Sequence, residues 1–246
     1  MTAVLPSAAH ESGTAAHLVV LDTALLESLT VDGADGHHLA RVRRLGAGAH
    51  LTVADGSGIW RRYEVTAARH GTLELAAVAT EQVEAPPARA LSVMPALSKG
   101  TKLETIAAHL TELGVAEIAP VVLDRSVLRP DESGRRRLHE RLVESVRLAA
   151  MQARRSRLPV MRPPGELDVA ALAALSPGRV LVAHHGAEPA PRLPEGALTV
   201  VTGPEGGFSP AELARFAEFR AIWWGLGNFV LRAETAPLAA AARLLV

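Results

Sequence analysis

From Leu91 onward the apolar residues follow two alternating rhythms, short continuous runs and stripes spaced by three and four. The runs Leu91-Ser92-Val93-Met94, Ile118 to Leu123, Val180 to Ala183, Leu198 to Thr202 and Ala221-Ile222-Trp223-Trp224 are too short for helices. Most are rich in β-branched residues, so each reads as a buried strand. The stripe Leu103, Ile106, Ala107, Leu110 and Leu113 predicts a helix opened by a Thr101–Glu104 capping box and closed by Gly114. Leu138, Leu142, Val146 and Ala149 predict a long helix from Arg135 to about Arg155, and shorter ones follow over Pro210–Phe219 and Pro237–Leu245. Strands alternating with helices predict an α/β fold with a doubly wound, mostly parallel sheet.

Upstream the rhythm differs. His17 to Val20, Leu51 to Val53, Ile59 to Val65 and Thr72 to Ala76 read as short strands, with Asp55-Gly56-Ser57-Gly58 as a turn. One short helix, Gly36 to Leu45, stands among them; Leu39, Val42 and Leu45 are expected inward and Arg41, Arg43 and Arg44 outward. Several short strands and one helix predict a small β-barrel. Two prolines stiffen Glu84 to Ala88, which reads as a linker. The expected organisation is therefore 1–16 poorly ordered, 17–83 barrel, 84–88 linker and 89–246 α/β domain.

Composition narrows the chemistry. No apolar run reaches spanning length and no secretory signal is evident, so the expected location is cytoplasmic. With no cysteine, disulfides, thiolate zinc sites and cysteine nucleophiles are excluded. Net charge is +0, but Arg135 to Arg157 holds eight Arg against two acids, a local +6. That stripe reads either as a phosphate footprint or as a solvated helix face. The pairs His37-His38 and His184-His185 do not make a metal site, because adjacent strand residues point to opposite faces and no third ligand lies at helical spacing. Trp223 and Trp224 offer rings to a nucleobase, although a buried strand claims at least one for the core.

The chemistry centres on Val200 to Pro210, VVTGPEGGFSP. A strand end runs into Gly203, Gly206 and Gly207, then into a helix start with Ser209 as N-cap, Pro210 at the first turn and Glu212 reaching back. Backbone N–H groups in such a turn can meet a ligand with no Cβ in the way, and a tight βα turn that holds no ligand is the alternative reading. The spacing is neither a dinucleotide fingerprint nor a phosphate loop.

Several motifs then coincide: His37-His38-Leu39-x-x-Val42; Lys99-Gly100-x-Lys102-Leu103-Glu104; Glu112-Leu113-Gly114-Val115; Ile118-x-Pro120; Thr202 to Ser209; and Leu226-Gly227-x-x-Val230-Leu231-Arg232-x-Glu234-Thr235-Ala236. Together they resemble the RsmE family, the 16S rRNA (uracil(1498)-N(3))-methyltransferases of the SPOUT superfamily. The resemblance runs from about His17 to the C-terminus. It implies a PUA-like barrel followed by a trefoil-knotted α/β domain, a homodimer, S-adenosyl-L-methionine as cofactor and the small ribosomal subunit's 16S rRNA as partner. Two positions depart from the family pattern. Asn228-Phe229 stand where it usually carries Pro-Arg, and Met151 replaces a glutamate.

Methylating N3 of uracil removes an imide proton and places negative charge on the ring oxygens, which a fixed cation stabilises. Carried onto this chain, the resemblance makes Arg232 and Glu234 the expected catalytic pair, with a structural Arg–Glu pair at a helix start as the alternative. The expected cofactor contacts are His184, Thr202, Gly203, Glu205, Gly206, Leu226, Gly227, Val230 and Leu231. RNA contacts are expected from Arg41, Arg43, Arg44, Arg61, Arg62, Arg154, Arg155 and Arg157. Two other readings stay open: a non-catalytic rRNA-binding assembly factor, and a methyltransferase acting on another RNA or atom.

Overall fold

The computed structural model describes residues 14–21, 23–98, 103–168, 172, 179–189 and 193–246. Residues 1–13, the Thr101 end of the capping box and the Lys99-Gly100-x-Lys102 motif lie outside them. By their contacts the residues form two compact units. One ends at Pro86 and also takes in Ala150–Leu158; the other is Pro87–Ala149 with Pro159–Val246.

The first unit is a six-stranded sheet. Its strands are β1 (Ala16–Val19), β2 (Ser28–Val31), β3 (His50–Ala54), β4 (Ile59–Arg69), β5 (Thr72–Ala77) and β6 (Gln82–Val83). The order is β1-β3-β4-β5-β2, with β6 pairing beside β4. Ala16 and Leu18 of β1 share one buried cluster with Val31 of β2, although these strands lie at opposite ends of that order. The sheet therefore curls around a single core that also holds Leu51, Val53, Tyr63, Val65, Leu73 and Leu75. A bulge between Val65 and Ala67 of β4 adds local twist. Strand β2 was not expected from the sequence.

The helix expected over Gly36–Leu45 is helix α1 (Gly33–His37) followed by a π turn, His38–Val42. Arg43 N–H donates to His38 O five residues back, and Leu45 N–H to Leu39 O six back. A wider turn carries fewer degrees per residue, so position i+3 leaves the inward stripe. Leu39 and Leu45 are accordingly buried, and Val42, expected inward, is 64% exposed.

Residues 150–158 were expected in the second domain, yet they pack on this sheet. Ala150, Met151 and Leu158 join Val19, Ala54 and Trp60 in one apolar cluster. Glu84, in the presumed linker, fastens the segment: its Oε2 accepts from Ser156 N (2.6 Å) and Arg157 N (3.1 Å). Gly58 N–H donates to Ser156 O (3.1 Å), and a Cβ at Gly58 would collide with the Arg157 guanidinium.

The second unit holds a six-stranded, all-parallel sheet of β7 (Leu91–Pro95), β8 (Glu117–Ile118), β10 (Val160–Met161), β12 (Val180–Ala183), β13 (Leu198–Thr202) and β14 (Ile222–Trp224). The order is β10-β8-β7-β13-β12-β14. Leu91, Val93, Leu181, Val182, Val200 and Val201 are fully buried, as expected of strands covered on both faces. The run Ile118–Leu123, read as one strand, is two. Pro120 has no N–H to continue a ladder, so β8 ends at Ile118 and β9 (Val121–Val122) pairs instead with β11 (Gly165–Glu166).

The helices are α2 (Leu103–Glu112), α3 (Glu132–Ala153), α4 (Pro210–Glu218) and α5 (Thr235–Leu245). Leu103, Ile106, Ala107 and Leu110 of α2 and Leu138, Leu142, Val146 and Ala149 of α3 are buried, as their spacing requires. Among the described residues no helix is long and apolar enough to cross a membrane.

Candidate active site

Three loops leave the same end of the parallel sheet: one after β12, one after β13 and one after β14. Together with Arg125 they enclose a cavity of about 660 Å³. A crevice beyond the carboxyl ends of parallel strands is where ligands bind in open α/β sheets.

The β13 loop is set by its glycines. A Cβ on Gly203 would sit 3.3 Å from the Phe208 ring and 3.5 Å from Gly207 Cα, and Gly207 itself has φ +67°. The turn closes with Gly207 N–H donating to Pro204 O, and helix α4 starts at once. Ser209 caps it as the sequence indicates: Ser209 Oγ accepts from Glu212 N (3.1 Å) and Glu212 Oε2 accepts from Ser209 N (2.7 Å). Glu212, 3% exposed, does more than cap. Its Oε1 accepts from Asp124 N (2.8 Å), and Ser209 Oγ donates to the Asp124 carboxylate. The chain after β9 is thereby tied to the glycine turn, and Arg125 Nη1 donates to Gly206 O (2.7 Å) from the cavity wall. The sequence reading missed Arg125, because 81 residues separate it from its partner.

The β14 loop begins at Gly225, whose hypothetical Cβ would run into the Ala187 carbonyl. It contributes Leu226, Gly227, Phe229, Val230, Leu231 and Arg232 to the cavity. Arg232 O accepts from Thr235 N and Ala236 N as α5 starts. Glu234 is the N-cap of α5, but its side chain makes no capping hydrogen bond. It faces Arg232 instead at 3.9 Å, with the two side chains 46% and 86% exposed. Such a pair contributes little to stability in water, about 0–1 kcal/mol, so both groups are available to a ligand.

The β12 loop supplies His184 and His185. Both lie past the strand end, so the alternation expected of strand neighbours does not apply, and their rings stack at 4.9 Å. His184 Nδ1 accepts from Gly186 N (3.2 Å), and its ring meets Trp223 edge-on at 5.9 Å. Burial, helped by His185, holds His184 below the ordinary 6.5. Among the described residues no group of three His, Asp or Glu could hold a metal ion. Trp224 is fully buried and Trp223 only partly so.

The cavity thus brings together Arg232, Glu234, His184, Gly203, Glu205, Gly206, Leu226, Gly227, Val230 and Leu231. Thr202, the residue before Gly203, is fully buried and does not line the cavity, and its Oγ1 makes no hydrogen bond among the described residues.

The arginines expected to meet RNA have mixed positions. Arg41, Arg43 and Arg44 are exposed around the π turn, with Arg43 Nη2 donating to Ala15 O (2.9 Å). Arg61 is engaged inside the first unit, donating to Ala79 O (2.7 Å), Leu25 O (3.3 Å) and Glu27 (2.6 Å). Arg62, on β4, is partly buried. In the 154–158 segment, burial pushes Arg155 below its ordinary value, Arg157 donates to Glu84 O (3.3 Å), and Arg154 closes α3 at φ +57°. On α3 the basic stripe is partly neutralised, because Arg135 pairs with Glu166, Arg141 with Glu104 and Arg147 with Glu144.

A family model described as an RNA methyltransferase domain matches residues 85–245, and one described as an RNA methyltransferase PUA domain matches residues 31–77. Fold and site thus define an RNA methyltransferase with a PUA domain. Ribosomal RNA small subunit methyltransferase E of Synechocystis sp. is 34% identical over 239 residues, 92% of this chain and 76% of its own length. The protein of that name from Mycobacterium tuberculosis is 33% identical over 217 residues, 84% of this chain and 81% of its own. The chain belongs to the ribosomal RNA small subunit methyltransferase E family. The same fold is seen in ribosomal RNA small subunit methyltransferase E of Neisseria gonorrhoeae, solved bound to S-adenosyl methionine. It superposes with a TM-score of 0.82 at 24% identity, over 93% of this chain and 96% of that one.

Proposed function

We propose that this protein transfers a methyl group from S-adenosyl-L-methionine to N3 of a uridine, uracil(1498) in the family's naming, in 16S rRNA of the small ribosomal subunit. One observation carries the reading: three loops converge on a single cavity whose wall holds a guanidinium and a carboxylate with no structural duty of their own. The cavity suits the cofactor. Its turns are lined by glycine, a Cβ on Gly227 would meet nothing within 4 Å, and the buried Thr202 hydroxyl, one residue before Gly203, has no partner among the described residues. Gly203, Gly206, Leu226, Gly227, Val230 and Leu231 would hold it by backbone and apolar contact, with Glu205 for a hydroxyl or the amino end.

When bound, the cofactor supplies an electrophilic sulfonium methyl. The chain's own part is to orient the acceptor and to balance its charge. Arg232 stabilises the negative charge that develops on the uracil oxygens. Glu234 orients that guanidinium or takes the imide proton. Arg41, Arg43 and Arg44 give the first unit a positive surface for the RNA backbone. On this reading the protein works as a homodimer in the cytoplasm, where its substrate is assembled.

The test is methyl transfer to small subunits that lack the modification, with the modified nucleotide mapped by mass spectrometry. Arg232→Ala and Glu234→Gln are each expected to lower turnover by about 100-fold or more, the scale set by loss of one charge-stabilising or proton-transferring group. Calorimetric cofactor affinity should stay within a few-fold of wild type. Near wild-type turnover by both variants would overturn the assignment, and label found on another base would move the acceptor.

A further inference from the structure

The chain has eight aromatic residues, three Trp, one Tyr and four Phe. Trp60, Tyr63, Trp224, Phe208 and Phe216 are buried, while Trp223 and Phe219 are half-buried and pack on one core cluster. Phe229 alone is exposed, at 84%, and it sits in the wall of the cavity three residues before Arg232. Val230 beside it is 76% exposed. An open Phe ring costs hydrophobic free energy unless something covers it in use.

The rings that the sequence offered for stacking do not serve. Trp224 lies under Arg243, whose guanidinium stands 5.1 Å from its ring centre, and Trp223 is engaged edge-on by His184 and Phe216. A phenyl ring cannot hold a phosphate, but it can hold the face of a base.

We infer that Phe229 is the stacking residue for the acceptor pyrimidine, a substrate-positioning contact made by the one exposed phenyl ring in the cavity wall. The inference rests on the methyltransferase reading above. An unstacked base in folded RNA is commonly held between aromatic or apolar surfaces while its edge meets polar groups. Phe229 offers the face, and Arg232 and Glu234, on the same loop, meet the edge. Base–aromatic stacking implies that removing the ring raises KM for RNA by about 5- to 150-fold.

The experiment uses the full chain and small ribosomal subunits that lack the modification. Wild-type methyl transfer is measured first; its absence overturns the underlying reading and is distinct from any result at position 229. With wild type active, Phe229→Ala should raise KM for the subunit at least 5-fold, with cofactor affinity by calorimetry within 2-fold. Phe229→Tyr and Phe229→Trp should return KM to within about 3-fold of wild type, whereas Phe229→Leu, apolar but without a ring face, should not. In the Phe229→Trp protein, emission in excess of wild type should be quenched on adding subunits without cofactor. Recovery by leucine, a larger effect on cofactor affinity than on RNA, absent quenching, or a changed oligomeric state by light scattering in Phe229→Ala would each overturn the proposal. The last would show that a second copy of the chain covers the ring.

Discussion

Gly225 and Gly227 lie two residues apart in one loop and meet different demands. Gly225 lets the loop pass against the Ala187 carbonyl, where a methyl group has no room, and its N–H donates to Glu188 O at 3.2 Å. Gly227 faces open space, with no atom within 4 Å of a hypothetical Cβ. Gly225→Ala is therefore expected to destabilise the protein by about 1–3 kcal/mol, the usual range for overpacking, visible as a lowered Tm. Gly227→Val should melt like wild type yet lose at least tenfold in affinity for S-adenosyl-L-methionine by calorimetry, because its methyls enter the cavity. Normal binding by Gly227→Val would show that the β14 loop does not hold the cofactor. The sequence marked Gly227 through a motif but gave no ground for Gly225, since the obstacle comes from a separate loop.

At the level of elements, helix α4 shows how a local signal acquires a distant role. Ser209, Pro210 and Glu212 announced the helix start within four residues, and the capping box is there. That Glu212 also takes the Asp124 N–H, across 88 residues, was not legible, because one carboxylate oxygen suffices for the box and the other is free to bond elsewhere. Glu212→Ala should leave the Ser209 N–H without its partner at a buried position, release the exposed Asp124 N–H, and cost about 1–3 kcal/mol in urea unfolding. Glu212→Gln, which keeps one acceptor, should fall between. Equal stability of all three proteins would mean that water replaces these bonds at no loss. Other elements were misread for physical reasons of the same kind. Pro120 divides what hydropathy presents as one run. Strand β2 offers only Leu29 and Val31 as apolar positions, too few for a period to show. Val42 turns outward because the π turn changes the angular step, which α-helical spacing does not anticipate.

For the whole molecule, ionisable groups set the response to acid in two windows. Burial depresses His184 below 6.5, so the unfolded chain binds that proton first and stability falls as pH drops through 6.5 toward the folded value. Hydrogen bonds from Arg141 and Arg147 hold Glu104 and Glu144 below the ordinary 4.5, so their contribution is complete above 4.5 and is lost below it. The urea midpoint should therefore decline in two steps on acidification, with His184→Gln removing the upper step and Arg141→Ala reducing the lower. A midpoint constant from pH 7 to 5 would contradict the first. The fold class was legible because strand and helix periods alternate so regularly after Leu91. The roles of the arginines were not, because composition counts charge without showing that Glu166, Glu104 and Glu144 are waiting for them.

The clasp between Glu84 and residues 156–157 means that the amino-terminal unit of this polypeptide is not a detachable cassette. A fragment cut at the two prolines would leave behind a strip from the middle of the chain, baring Val19, Ala54 and Trp60 to solvent and stranding the Glu84 carboxylate. Grafting this PUA unit onto another enzyme would thus require the nine residues Ala150–Leu158 to travel with it, although more than sixty positions of foreign sequence separate them.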